Sequence, residues 1–264
     1  MLADTPSVTR RPRLGGGLLL CALCCALLAA LAIPPASADR SNAAPRRLHW
    51  SGYDWVVKDS RGPVGPGPNR FSDSRRSVWV DAEGRLHLRI EKRDGHWWCS
   101  ELWPTTAFGY GTYVFELDTA ASSIDRNAVL GLFTWDDAAG EHHREIDVEL
   151  SRWGARRGPN ASFTVQPYRV AENGRSFTIP GPRSHTTEAF DWEPGSVSFW
   201  SVWGHRMPPV DSGVIRRWVS TSPDVPTPGD ERAHINLWLF GGRAPSDRRP
   251  VTVVIDRFAF VPSA

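Results

Sequence analysis

The chain reads as an all-β protein made of two packed antiparallel sheets, and three observations predict it. Apolar and polar residues alternate with a period of two in many short runs, Gly/Pro-rich breaks separate those runs, and helix-period patterns hardly appear. Leu86, Leu88 and Ile90 alternate with His87, Arg89 and Glu91, and Phe163 and Val165 flank Thr164. Val197 and Phe199 alternate with Ser198 and Trp200, and Val251, Val253 and Ile255 alternate with Thr252, Val254 and Asp256. The breaks fall at residues 62–68, 158–160, 180–182, 208–213, 223–229 and 241–250. Strand patterns resume on both sides of each, so these are loops within one domain.

The N-terminal 38 residues stand apart from that pattern. Arg10, Arg11 and Arg13 form a positive front, residues 14–33 are apolar and small, and Ala36-Ser37-Ala38 is an A-x-A cleavage site that leaves Asp39 first. This predicts a signal peptide over 1–38, a single domain over 39–264, and a secreted, periplasmic or extracellular destination. Left uncut, the same apolar run would be an anchor. Its removal takes away three arginines and Asp4, so the formal charge of +2 falls to about zero, which disfavours a nucleic-acid partner. Three of the four cysteines leave with it, and Cys99 alone forms no internal disulfide and reads as a small buried residue. All thirteen tryptophans lie beyond the leader. Flat indole rings are platforms for sugars as well as core residues, so an exported, near-neutral, Trp-rich chain points towards carbohydrate.

The most telling run is Arg144-Glu145-Ile146-Asp147-Val148-Glu149-Leu150. On a strand Glu145, Asp147 and Glu149 point one way, while Ile146, Val148 and Leu150 make an apolar row on the other face. Like charges so close raise one another's pKa, and carboxylates with separated pKa values can protonate a leaving group and supply a nucleophile. The alternation alone also fits an amphipathic strand with its acids in water, or an oxygen-rich cation site.

The flanking segments carry a resemblance. Glu145-Ile146-Asp147-Val148-Glu149 resembles the E-x-D-x-E signature of glycoside hydrolase family 16. In family order come Phe108-Gly109-Tyr110-Gly111-Thr112-Tyr113 before it, and Phe190-Asp191-Trp192-Glu193-Pro194-Gly195, Ile235-Asn236-Leu237-Trp238 and Ile255-Asp256-Arg257-Phe258 after it. The resemblance implies a concanavalin A-like jelly roll and retaining cleavage of a β-linked polysaccharide, with mixed-linkage or β-1,3-glucan the first expectation. A transglycosylase would use the same residues, and a lectin-like binder the same scaffold. No organic cofactor is implied, and a monomer without a membrane partner after leader cleavage is expected.

By that resemblance Glu145 would be the nucleophile, Glu149 the acid/base and Asp147 the residue that tunes the nucleophile. Retention needs the two glutamate carboxyls roughly 5–5.5 Å apart. Four residues of flat strand separate Cα atoms by roughly 13 Å, so the sheet would have to curve. Asn236 and Trp238 share a parity opposite to Ile235, Leu237 and Leu239 and would face the cleft if those face the core. Trp135 stands where the family often stacks a sugar, Gln166 lies on the face of its strand opposite Phe163 and Val165, and Glu101 and Trp103 resemble a sugar-contacting stretch of the bacterial lichenases. Asp256 matches a place where some members hold a structural calcium. One departure concerns the two residues before the signature, Trp-Asp in the lichenases and His143-Arg144 here. On a continuing strand Arg144 would point to the face opposite Glu145, with a charge able to lower nearby carboxylate pKa values.

Overall fold

The computed structural model describes residues 44–138 and 140–264, and the expected signal peptide lies outside them. Among the described residues no helix is long and apolar enough to cross a membrane.

One sheet runs, in hydrogen-bonded order, β11 (Gly174–Phe177), β10 (Ala161–Val165), β9 (Ile146–Ser151), β8 (Ala128–Trp135), β15 (Arg232–Leu239) and β6 (His96–Pro104). Beyond β6 it continues through β2 (Tyr53–Val57) to β1 (Arg47–Trp50). The other runs β4 (Val78–Val80), β5 (Leu86–Arg93), β16 (Val251–Pro262), β7 (Gly111–Leu117), β12 (Thr186–Glu193), β13 (Ser196–Trp203) and β14 (Val214–Ser220). These pairings are antiparallel, as the alternation predicts; the short β3 (Arg70–Phe71) instead lies parallel to β6. The β5–β6 hairpin carries the ladder from one sheet to the other, so the layers are one folded ribbon. It turns at Asp94-Gly95, with φ of 48° and 80°, the pair of positive values that an Asp-Gly hairpin turn requires.

The core lies between the layers. Leu130, Leu132, Ile146, Val148, Leu150 and Phe163 from the first sheet meet Phe115, Phe190, Phe199, Val253, Ile255 and Phe258 from the second. Phe163 stacks on Phe199 with centroids 5.0 Å apart, joining β10 to β13. Each buried aliphatic side chain contributes roughly 1.5–3 kcal/mol. Cys99 is buried as expected, and burial pushes its thiol up to about 12. Much of the tryptophan surplus goes to packing rather than to a sugar surface. Trp55 and Trp192 are fully buried, and Trp200, Trp203 and Trp218 lie under the guanidinium groups of Arg217, Arg183 and Arg175.

One acid enters this interior. Glu188 shares strand parity with Phe190 and Trp192, is fully buried, and accepts a hydrogen bond from Ser201 Oγ at 3.1 Å. Burial pushes its carboxyl up to about 8 from an ordinary 4.5. Below pH 4.5 the group is neutral in both folded and unfolded chains. Between there and about pH 8 only the unfolded chain ionises it, so folding stability falls across that window. Glu188→Gln should therefore gain thermal stability relative to the parent progressively over this range in pH-resolved melting curves; a difference that does not change with pH would show that Glu188 ionises normally.

Candidate active site

Glu145 stands immediately before β9, and with Asp147 and Glu149 it lines a cleft of about 410 Å³ on the face of the sheet away from the core. The same alternation buries Ile146, Val148 and Leu150 completely. The chain enters β9 from a turn, not from a continuing strand. Glu141, His142, His143 and Arg144 have φ of 48°, 52°, 63° and 51°, a left-handed run that costs roughly 1–2 kcal/mol per residue. Several bonds hold it. The Glu141 carboxylate accepts from Thr227 N at 2.6 Å and Oγ1 at 2.9 Å, and Arg144 donates to Asp136 and to Thr227 O, each at 2.9 Å. Thr134 Oγ1 donates to Arg144 O at 2.7 Å and accepts from Ile146 N at 3.0 Å, and Gln166 N donates to Glu145 O at 3.1 Å. The strand-parity expectation for Arg144 is thus corrected: its charge pairs with Asp136. His143 packs flat on Trp135 at 4.0 Å, so Trp135 lines the cleft with one ring face already covered.

Register sets out the floor in rows across neighbouring strands. Gly131 lies between Glu149 and Asn236, Phe133 lies between Asp147 and His234, and Trp135 pairs with Arg232. Asn236 in turn pairs with Glu101, and Trp103 stacks on His234 at 5.1 Å. Gly131 is a glycine for a local reason: its N–H donates to Asn236 Oδ1 at 3.2 Å, and a Cβ there would sit 2.5 Å from that oxygen.

The structure brings Glu101, Trp103, Trp135, Asn236 and Trp238 together in the cleft with the three acids, as the sequence predicts. Ile235, Leu237 and Leu239 are in the core, so the parity reading of β15 holds. Gln166 lies beside the cleft, where its Nε2 donates to Asp147 Oδ2 at 2.9 Å. Glu101 is sequestered: Lys58 Nζ at 2.7 Å and His234 Nδ1 at 3.1 Å engage its two oxygens. Burial would raise its carboxyl, but those partners outweigh burial and hold it below the ordinary range. Sequence reasoning missed Lys58, Phe133, Arg232 and His234, which also line the cleft. Extending the parity of Asn236 and Trp238 two and four residues back along β15 would have found His234 and Arg232.

A second hollow, of about 640 Å³, lies towards β10 and β11 on the other side of β9, with Trp153, Gln166, Tyr168 and Phe240 in its wall. Glu149 and Trp238 line both hollows. Trp153 and Tyr168 are exposed there at 38% and 67%.

Burial raises the whole row, and the charge of Asp147 raises the two glutamates further. Glu145 is raised first by burial and then by Asp147, and Glu149 by burial and then by Asp147. Burial also raises Asp147, against the hydrogen bonds from Gln166 and Glu145. Glu145 and Asp147 stand close enough for the ionisation of one to disfavour that of the other, an arrangement in which a pair can share a proton. Such a row can hold one acid protonated at neutral pH beside another that ionises.

Asp256 lies elsewhere, beside Glu116 and His205. Calcium takes six to eight oxygen ligands. Here Glu116 is held by both Nε and Nη2 of Arg257, at 2.9 and 2.7 Å, and the third group is an imidazole 3.6 Å from Asp256.

No family model matches the chain, and no curated protein sequence is significantly similar to it. Solved structures share its fold. The β-glucanase of Bacillus licheniformis superposes with a TM-score of 0.59 at 17% identity, over 79% of this chain and 92% of its own. A Mycobacterium tuberculosis protein described as an immunostimulatory antigen and pseudo β-1,3-glucanase gives 0.60 at 19%, over 80% and 91%. A glycosyl hydrolase family 16 protein of Mycobacterium smegmatis gives 0.56 at 16%, over 76% and 89%. The chain therefore has the two-layer jelly-roll fold of the β-glucanases.

Because the charge of Asp147 helps to raise Glu149, Asp147→Asn should lower the Glu149 titration midpoint while burial keeps it above 4.5. Carboxyl-carbon NMR titration, assigned with Glu149→Gln, reads this directly. An unmoved midpoint would show that the row is not electrostatically connected.

Proposed function

We propose that the protein is an exported, retaining glycoside hydrolase that cleaves internal β-linkages of a polysaccharide, with mixed-linkage or β-1,3-glucan the first substrate class. The observation that carries this reading is the row Glu145, Asp147, Glu149 on the floor of a cleft, with raised carboxyls and a hollow on either side of its strand. The glucanase fold of the solved structures agrees with it. Export rests on the leader-like sequence of residues 1–38.

In this reading Glu145 attacks the anomeric carbon while Glu149, kept protonated by burial and by Asp147, protonates the departing glycosidic oxygen. Glu149 is the carboxyl common to both hollows, so the leaving sugar sits in the second hollow and the glycone in the cleft that also holds Glu145. Asp147, fixed by Gln166, takes the proton from Glu145 so that Glu145 attacks as the carboxylate, and returns it when the sugar leaves. The emptied Glu149 carboxylate then takes a proton from water, which releases the sugar from Glu145 with its original configuration. A sugar hydroxyl held by Trp153 or Tyr168 in place of that water would give transglycosylation.

A second reading, a glycan binder that does not cleave, is favoured by one observation: a protein of this fold is described as a pseudo β-1,3-glucanase. A panel of mixed-linkage glucan, β-1,3-glucan, galactan and xyloglucan, assayed for new reducing ends, separates the two. Glu145→Gln and Glu149→Gln should each lower turnover by at least about 10²-fold without lowering the melting temperature, and the first-formed product should be the β-anomer by proton NMR. Saturable binding with no cleavage across the panel would instead establish the binder.

A further inference from the structure

We infer that His234 is the specificity-determining hydrogen-bond acceptor of the cleft, its Nε2 taking a hydroxyl proton from the bound sugar; this rests on the cleft being a carbohydrate site. The His234 side chain is 9% exposed and lines the cleft, and its Nε2 makes no hydrogen bond to any described residue. The ring is held on three sides. Trp103 stacks on one face at 5.1 Å and 16°, Phe133 packs at 5.1 Å and 39°, and Glu101 takes Nδ1 at 3.1 Å. Glu101, already bound to Lys58, accepts from Nδ1, which places the imidazole proton there, and in that tautomer Nε2 carries a lone pair. The Lys58–Glu101 pair thus fixes a tautomer rather than meeting the ligand.

The neighbouring groups show why that lone pair matters. Along the cleft face of β15, Arg232 and the Trp238 indole offer donors only, and Asn236 Oδ1 already accepts from Gly131 N, which leaves its amide N–H groups. Glu101, the carboxylate facing Asn236 across the ladder, is engaged by Lys58 and His234. A sugar hydroxyl both donates and accepts. On this strand His234 Nε2 is the acceptor left without a partner in the fold, so it can receive that proton, and a sugar whose hydroxyl at that place is missing or inverted leaves the nitrogen unpaired.

The test uses the panel glucan that is cleaved best. His234→Phe keeps the ring between Trp103 and Phe133 and leaves the Lys58–Glu101 pair, while His234→Gln restores an acceptor. The phenylalanine variant should raise KM about three- to tenfold with kcat within about twofold, together with a lowered melting temperature because Glu101 loses a partner, and the glutamine variant should recover part of the KM loss. An unchanged KM, or a loss of kcat that follows a loss of stability, would overturn the inference while leaving glycoside hydrolysis intact. Affinity electrophoresis in each glycan of the panel, in a Glu149→Gln background, separates the two claims. If no glucan is cleaved yet His234→Phe weakens retardation, His234 keeps its role and hydrolysis falls; if no glycan in the panel retards the protein, both fall.

Discussion

The site depends on one constraint: a β-strand has two faces, and a core that claims one of them commits the other. Ile146, Val148 and Leu150 are completely buried between the layers. Their parity leaves Glu145, Asp147 and Glu149 no place but the cleft. A slip of one residue would exchange the rows and drive three acids into the hydrocarbon interior. The register of β9 against β8 and β10 is therefore held by core packing, and the spacing of the carboxyls along the strand is inherited from it.

That arrangement has an electrostatic consequence. Acids in a partly closed cleft lose solvent and repel one another, and both effects favour the neutral forms. The fold answers at Asp147, the centre of the row, where Gln166 donates a hydrogen bond and Glu145 shares its proton. Glu101 shows the opposite solution in the same cleft. It is equally withdrawn from water, yet a lysine and a histidine keep it ionised, so it acts as a fixed charge beside a row that exchanges protons.

What could be read from the sequence follows the same division. Alternation located β5, β10, β13 and β16, as well as the acid row, because each pattern is local and its period is imposed by the backbone. The cleft residues of β15 were half legible: Asn236 and Trp238 were found by parity, and His234 and Arg232 lie on the same face. Glu101 was placed in the cleft but its ion pair was not legible, because Lys58 and His234 reach it from 43 and 133 residues away and no local pattern records that. The tryptophan count overstated the sugar surface for a related reason: composition does not distinguish a ring facing the cleft from one under an arginine. The turn before β9 escaped a strand reading because its left-handed backbone is stabilised from the 223–229 loop, not by its own residue types.

That turn explains why His143-Arg144 stands before the acid row without disturbing it. Neither side chain acts on the carboxyls. Arg144 ties Asp136 to Thr227 in a distant loop, and His143 covers one face of Trp135. Thr134, bonded to both Arg144 O and Ile146 N, then returns the chain to extended geometry within one residue, so the ladder begins in register at Ile146, directly after Glu145. The strain of four left-handed residues is thus carried outside the row and offset by bonds to the loop, while the row itself rests on regular strand. The departure from the lichenase pattern accordingly falls on residues that stack on Trp135 and tie down a loop, and leaves the acid row on the cleft floor in place.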